Sequence, residues 1–262
     1  MRIPYLNIPS YILRDHLKGK EIRMEQQPIA LVTGANKGIG LEIARQLAQA
    51  GVHVIVGARD PVRAEKALAN LQASGVQAEW VKVDLNDTES LAGAATEIAT
   101  RHGHLDILVN NAGIFDFSDG APEKADIASV RKVLETNFLG TLAVTQAMLP
   151  LLRKATAARI INISSSLGSL AVNGDPDSPY FAARFIGYNA SKAALNMLTV
   201  QLAEELRDSG IKVNSVSPGF VKTDLTGMGH MNPEEGAVLP VRYALGGDET
   251  GTFVEPDGVT PW

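Results

Sequence analysis

From Ile29 onward, short β-branched or apolar runs alternate with longer stretches of helical period, and this rhythm constrains the fold more than any other feature. It is the pattern of a parallel sheet whose strands are joined by crossover helices. Strands are expected at residues 29–33, 52–57, 78–84, 105–110, 159–164 and 211–217, with a weaker seventh at 251–254. Helices are expected at 39–50, 61–74, 88–102, 127–154 and 189–208, with a shorter one at 233–245. No internal repeat, low-complexity tract or linker interrupts the series. The expected architecture is α/β, a single doubly wound domain over residues 28–262. Its sheet is mostly parallel and seven-stranded, with helices on both faces. A chain of 262 residues is long enough to bury such a core.

Residues 1–27 fit neither period. Their apolar positions Tyr5, Ile8, Tyr11, Ile12 and Leu13 follow no regular spacing, so the segment reads as a loose N-terminal extension with Met24 near the functional start. A short helix packed on the domain is the alternative. Net charge is −5, which offers no basic footprint for nucleic acid. The absence of cysteine excludes disulfides, thiolate metal ligands and a cysteine nucleophile. No apolar run reaches the roughly 20 residues of a membrane span. The expectation is a soluble, cytoplasmic protein without nucleic-acid or membrane partners.

A glycine-rich loop, Thr33-Gly34-Ala35-Asn36-Lys37-Gly38-Ile39-Gly40, joins the first strand to the first helix. Glycines permit a tight turn and close backbone approach, and a helix N-terminus attracts a pyrophosphate through its free amides and dipole. The spacing is G-x3-G-x-G, and an ordinary strand-to-helix turn would also use such residues. After the second strand comes Gly57-Ala58-Arg59, with no carboxylate until Asp60, which precedes Pro61 as a helix cap. An acid at that strand end suits the ribose hydroxyls of NAD; Arg59, with Lys37 nearby, suits the 2′-phosphate of NADP(H). Both cations also fit a reading as solvated surface charges. Asp84 before Leu85 is placed to meet an adenine, or to cap a turn. Asn110-Asn111-Ala112-Gly113 ends the fourth strand with residues small enough for close backbone approach.

Tyr188 and Lys192 stand four apart on an expected helix and so share one face. A phenol is a poor acid–base catalyst near neutral pH unless its anion is stabilised, and a neighbouring ammonium is expected to lower its pKa. The pair alone is a weak signal. Its company strengthens it, because Ser164-Ser165-Ser166 ends the fifth strand and Asn137 follows the Asn-Asn-Ala-Gly turn. Singly, the serines can terminate a strand and Asn137 can be a buried helical amide.

Together these residues resemble the short-chain dehydrogenase/reductase family and its Rossmann-type domain, over almost everything from Ile29 to the C-terminus. The carriers are Thr33-Gly34-x3-Gly38-x-Gly40, Asn110-Asn111-Ala112-Gly113, Asn137, Ser165, Tyr188-x3-Lys192 and Pro218-Gly219. Within the family the chain is most similar to NADPH-dependent carbonyl reductases, through Asn36-Lys37-Gly38-Ile39-Gly40, Ala58-Arg59-Asp60 and residues 218–224 and 233–237. The ending from Gly251 to Trp262 is similar too. The resemblance implies that Tyr188 protonates a carbonyl oxygen which Ser165 also hydrogen-bonds, while hydride comes from NADPH. It implies that Lys192 binds the nicotinamide ribose and that Asn137 holds a water linking Lys192 to solvent. Pro218, Gly219, Val221 and Thr223 would line the nicotinamide end, with Thr223 meeting the carboxamide. The expected activity is reduction of a small-molecule ketone or aldehyde. A ketoacyl-thioester reductase and a non-catalytic NADP(H) sensor are the competing readings.

The sequence departs from the family pattern between Ser165 and Tyr188, where 22 residues intervene, more than in many members. This segment holds a turn-rich stretch, 173–177, then Tyr180, Phe181 and Phe185, which are expected to line a substrate mouth or to pack as core. It also bears on assembly, for which a homodimer is slightly favoured over a monomer. His102 and His104 suggest no metal, lacking a third ligand at metal-site spacing, and read as a solvated helix end.

Overall fold

The computed structural model describes residues 27–262. The expected extension, apart from Gln27, and the role of Met24 lie outside the described residues. The first half of the fold comprises β1 (Ile29–Thr33), α1 (Gly38–Gln49), β2 (His53–Ala58), α2 (Pro61–Ala73), β3 (Ala78–Lys82), α3 (Thr88–His102) and β4 (Ile107–Asn110). Then come α4 (Ile127–Leu134), a π-helical turn (Glu135–Gly140), α5 (Thr141–Leu152), β5 (Arg159–Ile163), the short α6 (Leu170–Gly174) and α7 (Ile186–Glu205). The chain ends with β6 (Lys212–Val216), α8 (Pro233–Leu245), β7 (Phe253–Glu255) and β8 (Gly258–Val259). No helix among the described residues is long and apolar enough to cross a membrane.

The strands form one sheet in the order β3-β2-β1-β4-β5-β6-β7-β8, parallel from β3 to β7. Successive side chains on a strand point to opposite faces, so strands covered on both sides read as continuous apolar runs. Leu31, Ile55, Leu108 and Ile160 belong to a core with Ile98 of α3, Met148 of α5 and Leu195 of α7. Ala30, Val32, Val56 and Val109 belong to the other, with Ile43 of α1, Leu71 of α2 and Val241 of α8. Strand order reverses between β1 and β4, and the crevice beyond their carboxyl ends is where such sheets bind ligands.

Besides element ends shifted by a few residues and the unexpected short α6, three details differ from the sequence expectations. The sheet has eight strands rather than seven, because the chain turns back after β7 and adds the antiparallel pair Gly258–Val259, too short to show a period. The expected helix 127–154 is interrupted by the π-helical turn, which contains Asn137, and Thr141 Oγ1 donates to the Asn137 carbonyl at 3.0 Å. The expected helix 189–208 starts earlier, at Ile186. Its local cap position, Phe185, has no side-chain acceptor. The buried Asp119 carboxylate supplies one from a distant loop, accepting from Gly187 N at 3.0 Å and Tyr188 N at 2.8 Å. A cap on those first amides, with a negative charge at the helix N-terminus, lets α7 begin there.

Candidate active site

A cleft of about 680 Å³ opens at the carboxyl ends of β1, β2 and β4. Its floor is the N-terminus of α1. Helices α2, α3, α4 and α8 each have an Asp or Asn at the start that accepts backbone amides, namely Asp60, Asp87, Asp126 and Asn232. Helix α1 has none. Its cap position is Lys37 with no side-chain hydrogen bond, and its first turn carries no acid. Free amides aimed into a cleft form an anion-binding end. Gly38 has φ +58°, and a Cβ there would meet the Thr223 side chain at 3.7 Å, while a Cβ at Gly40 would lie 2.3 Å from Asn111 Nδ2. Asn111 in turn donates to the Thr33 carbonyl at 2.9 Å and joins the β1 and β4 ends.

Gly34, Asn36, Lys37, Gly38, Ile39 and Gly40 all line this cleft, as do Arg59, Asp84, Leu85, Asn111, Ala112 and Gly113. Arg59 is exposed and forms no ion pair among the described residues. Lys37 pairs with Asp224 at 3.1 Å across the cleft, so two loops meet over it. Asp60 caps α2, as expected, by accepting from Arg63 N at 3.1 Å. Asp84 Oδ1 accepts from Asn86 N at 3.1 Å, the turn role that the sequence left open.

Tyr188 and Lys192 line the same cleft, as do Pro218 and Thr223. The three serines part company. Ser164 is buried and donates to Asn196 Oδ1 at 2.7 Å, and Ser166 bonds to Glu255. Ser165 accepts from Leu167 N at 3.2 Å and also hydrogen-bonds Tyr188. Asn137 lies behind this group. Its amide holds both backbone groups of Ile114, at 2.8 and 2.9 Å, and donates to Ser191 Oγ at 3.1 Å. Gly113 stands between the Asn137 and Lys192 side chains.

The expected lowering of the Tyr188 pKa by Lys192 is not met. Burial pushes Tyr188 up to about 12, against the opposing pull of the Ser165 hydrogen bond. The Lys192 ammonium donates to the Ile163 carbonyl at 2.8 Å and lies 5.7 Å from the Tyr188 ring centroid. Burial brings Lys192 down to about 8. Desolvation disfavours both charged forms here and outweighs the attraction that helical spacing alone suggests.

Gly219 and Val221 do not line the cleft. Val221 is buried and pairs with Met231, and Gly219 faces the Met231 side chain. The sequence reading also missed residues. Arg63 adds a second cation near Arg59, one turn into α2, and Phe115 and Phe117 line the wall. Phe115 packs edge-on against Tyr188 at 5.4 Å and against Phe185 at 5.0 Å, so one aromatic of the enlarged segment reaches the site through a neighbour. Phe181 instead carries Arg184 over its ring at 4.4 Å. Basic residues at helical spacing after Arg59 could have indicated Arg63; nothing local indicated Asp119.

At the far end of the sheet His102 is not a solvated helix end. Its imidazole is mostly buried, 2.9 Å from Glu79 and beside His53. Sequence spacing could not reveal this, because the two partners come from other elements.

The short chain dehydrogenase family model matches residues 28–232. Short-chain dehydrogenase anuI of Penicillium roqueforti is 38% identical over 234 residues, covering 87% of this chain and 92% of the relative. Carbonyl reductase [NADPH] 1 of Mus musculus is 31% identical, over 90% of this chain and 99% of that one. Among solved structures, NADPH-bound carbonyl reductase from chicken fatty liver superposes with a TM-score of 0.79 at 32% identity, covering 90% of this chain and 99% of the other. With the doubly wound sheet, the uncapped α1 and the Tyr188–Lys192 helix at one cleft, these matches lead to one conclusion: the chain belongs to the short-chain dehydrogenase family of oxidoreductases.

Proposed function

We propose that this protein reduces a ketone or aldehyde to the alcohol, with NADPH as hydride donor and Tyr188 as proton donor. One observation carries the reading, namely that the uncapped N-terminus of α1 and the Tyr188–Lys192 pair open into the same cleft. The names of the relatives support it, carbonyl reductase [NADPH] 1 among them, as does the NADPH-bound chicken structure. The donor set suits the group. Free α1 amides and Gly34–Gly40 would hold the pyrophosphate, and Arg59, Lys37 and Arg63 would hold a 2′-phosphate. Asp84 and Leu85 would flank the adenine, and residues 111–113 would lie along the cofactor. Lys192 would bind the nicotinamide ribose, with Pro218 and Thr223 toward the nicotinamide end. When bound, NADPH supplies the hydride that reduces the carbonyl carbon.

The chain's own residues manage the proton. Burial raises Tyr188 to about 12, which keeps its hydroxyl protonated at neutral pH but makes it a weak acid. Giving its proton to an alkoxide forming beside it therefore depends on stabilising the phenolate left behind. Ser165 would hydrogen-bond the same oxygen and hold it in place. The Lys192 ammonium favours the transient phenolate left on Tyr188. Asn137, by pinning Ile114 and Ser191, would keep the surroundings of Lys192 in register and hold a water through which the proton is replaced.

NADPH and NADH oxidation measured against a panel of ketones, aldehydes and acyl thioesters tests this reading. Stoichiometric alcohol formation with NADPH over NADH is expected, and Arg59→Glu should narrow that preference about tenfold or more, the worth of one charged hydrogen bond. Turnover confined to acyl thioesters, or tight NADPH binding without product, would overturn it.

A further inference from the structure

His53 opens β2, Glu79 is the second residue of β3, and His102 ends α3. The sheet's register brings them together. Ile55 pairs with Glu79, so His53, two residues before Ile55, lies diagonal to Glu79 on the same face. That face is the one α3 covers, since Ile55 shares a core with Leu91 and Ile98. His102 follows Ile98 by four residues and so continues the buried stripe of α3. Where the apolar layer stops, at the amino ends of the strands, the stripe ends in two imidazoles and a carboxylate.

We propose that His53, Glu79 and His102 bind one divalent transition-metal ion, zinc by preference, as a structural clasp between β2, β3 and α3. Their three ligating atoms lie within 4.8 Å of one another. In a tetrahedral zinc site, with bonds near 2.0–2.1 Å, ligands stand about 3.4 Å apart, so small side-chain rotations suffice. Both Nε2 atoms address the same Glu79 oxygen, His53 in a short contact and His102 at 2.9 Å. His102 Nε2 is sealed from solvent, and no hydrogen bond of good geometry satisfies it among the described residues. The other Glu79 oxygen accepts from Arg101 at 2.8 Å, the outer hydrogen bond that orients a ligating carboxylate. Glu97 pairs with Arg101, which leaves the cluster one net negative charge when the imidazoles are neutral.

Two nitrogens and one oxygen suit zinc better than calcium or magnesium, which take oxygen ligands. The fourth position belongs to water, in a hollow of about 360 Å³ beside His53 and Glu79. The clasp lies at the opposite end of the sheet from Tyr188, so its role is stability rather than turnover.

Equilibrium dialysis of the tag-free full chain against micromolar zinc tests the proposal, with cobalt(II) absorption as an independent report of coordination. One equivalent of zinc per chain is expected, with visible cobalt bands of four-coordinate intensity and a melting temperature several degrees higher with zinc than with chelator. His102→Asn and His53→Gln should each lose the bands and the zinc-dependent rise while retaining carbonyl reduction, which shows that they fold. If neither variant folds, Glu79→Gln with Arg101 intact serves the same comparison. Absence of saturable binding at micromolar zinc, or equal binding by the wild type and the folded variants, would overturn it and leave an ionic His–Glu cluster.

Discussion

The two ends of one sheet carry polar clusters of different kinds. At the carboxyl ends, Tyr188, Lys192 and the α1 amides face a wide cleft, and most of the chemistry comes from short motifs just past each strand. At the amino ends, His53, Glu79 and His102 come singly from three elements and converge within 4.8 Å. The difference shows how legibility depends on construction. A site made of strand-to-helix turns leaves contiguous marks such as Gly34-x3-Gly38-x-Gly40, whereas one made by strand register and helix phase leaves isolated residues. The ends should also separate in experiment, with substitutions at one altering turnover and those at the other altering metal-dependent stability.

The largest expected effect is at the carboxyl end. Tyr188→Phe removes the proton donor and should lower the reduction rate by about 10²–10⁴-fold, the usual worth of general acid catalysis, while zinc uptake is unchanged. Single-turnover NADPH oxidation measures the first and dialysis the second. A variant with the full rate would end the assignment and blur the division between the two ends.

A pH profile sharpens the same division. Lys192 titrates at about 8 and Tyr188 at about 12, so carbonyl reduction should decline as pH rises through about 8, when the ammonium is lost while the phenol keeps its proton. Lys192→Arg should remove that limb, since a guanidinium stays charged. Stability runs the other way. Between the folded value near 8 and the ordinary 10.5 the unfolded chain holds more of the Lys192 proton, so this residue's contribution rises with pH. Tyr188 reverses the trend between 10.0 and about 12, where the folded state holds the proton more tightly. Chemical denaturation across pH 8–10 checks the first sign.

The smallest expected effect is at Asp119, which belongs to neither cluster. Asp119→Ala removes the remote cap of α7 and should cost about 1–3 kcal/mol, read as a fall of several degrees in melting temperature. Because the lost bonds hold the backbone of Gly187 and Tyr188, kcat should fall more than cofactor affinity. Asp119→Asn, which keeps one acceptor, should recover part of both.

Sequence alone determined the α/β class, the doubly wound order of elements and the cleft lined by Gly34, Gly40, Arg59, Asn111, Tyr188 and Lys192. These are written in local periods and in turns that need particular residues. Tertiary structure decided what depends on distant partners. It tied Ser164 and Ser166 to Asn196 and Glu255, turned the Lys192 ammonium toward the Ile163 carbonyl, and set Val221 behind the cleft rather than in it. It capped α7 with Asp119 and gathered His53 and His102 around Glu79. Hydrogen-bond partners and desolvation are set by three-dimensional neighbours, and a linear sequence specifies those only through the completed fold.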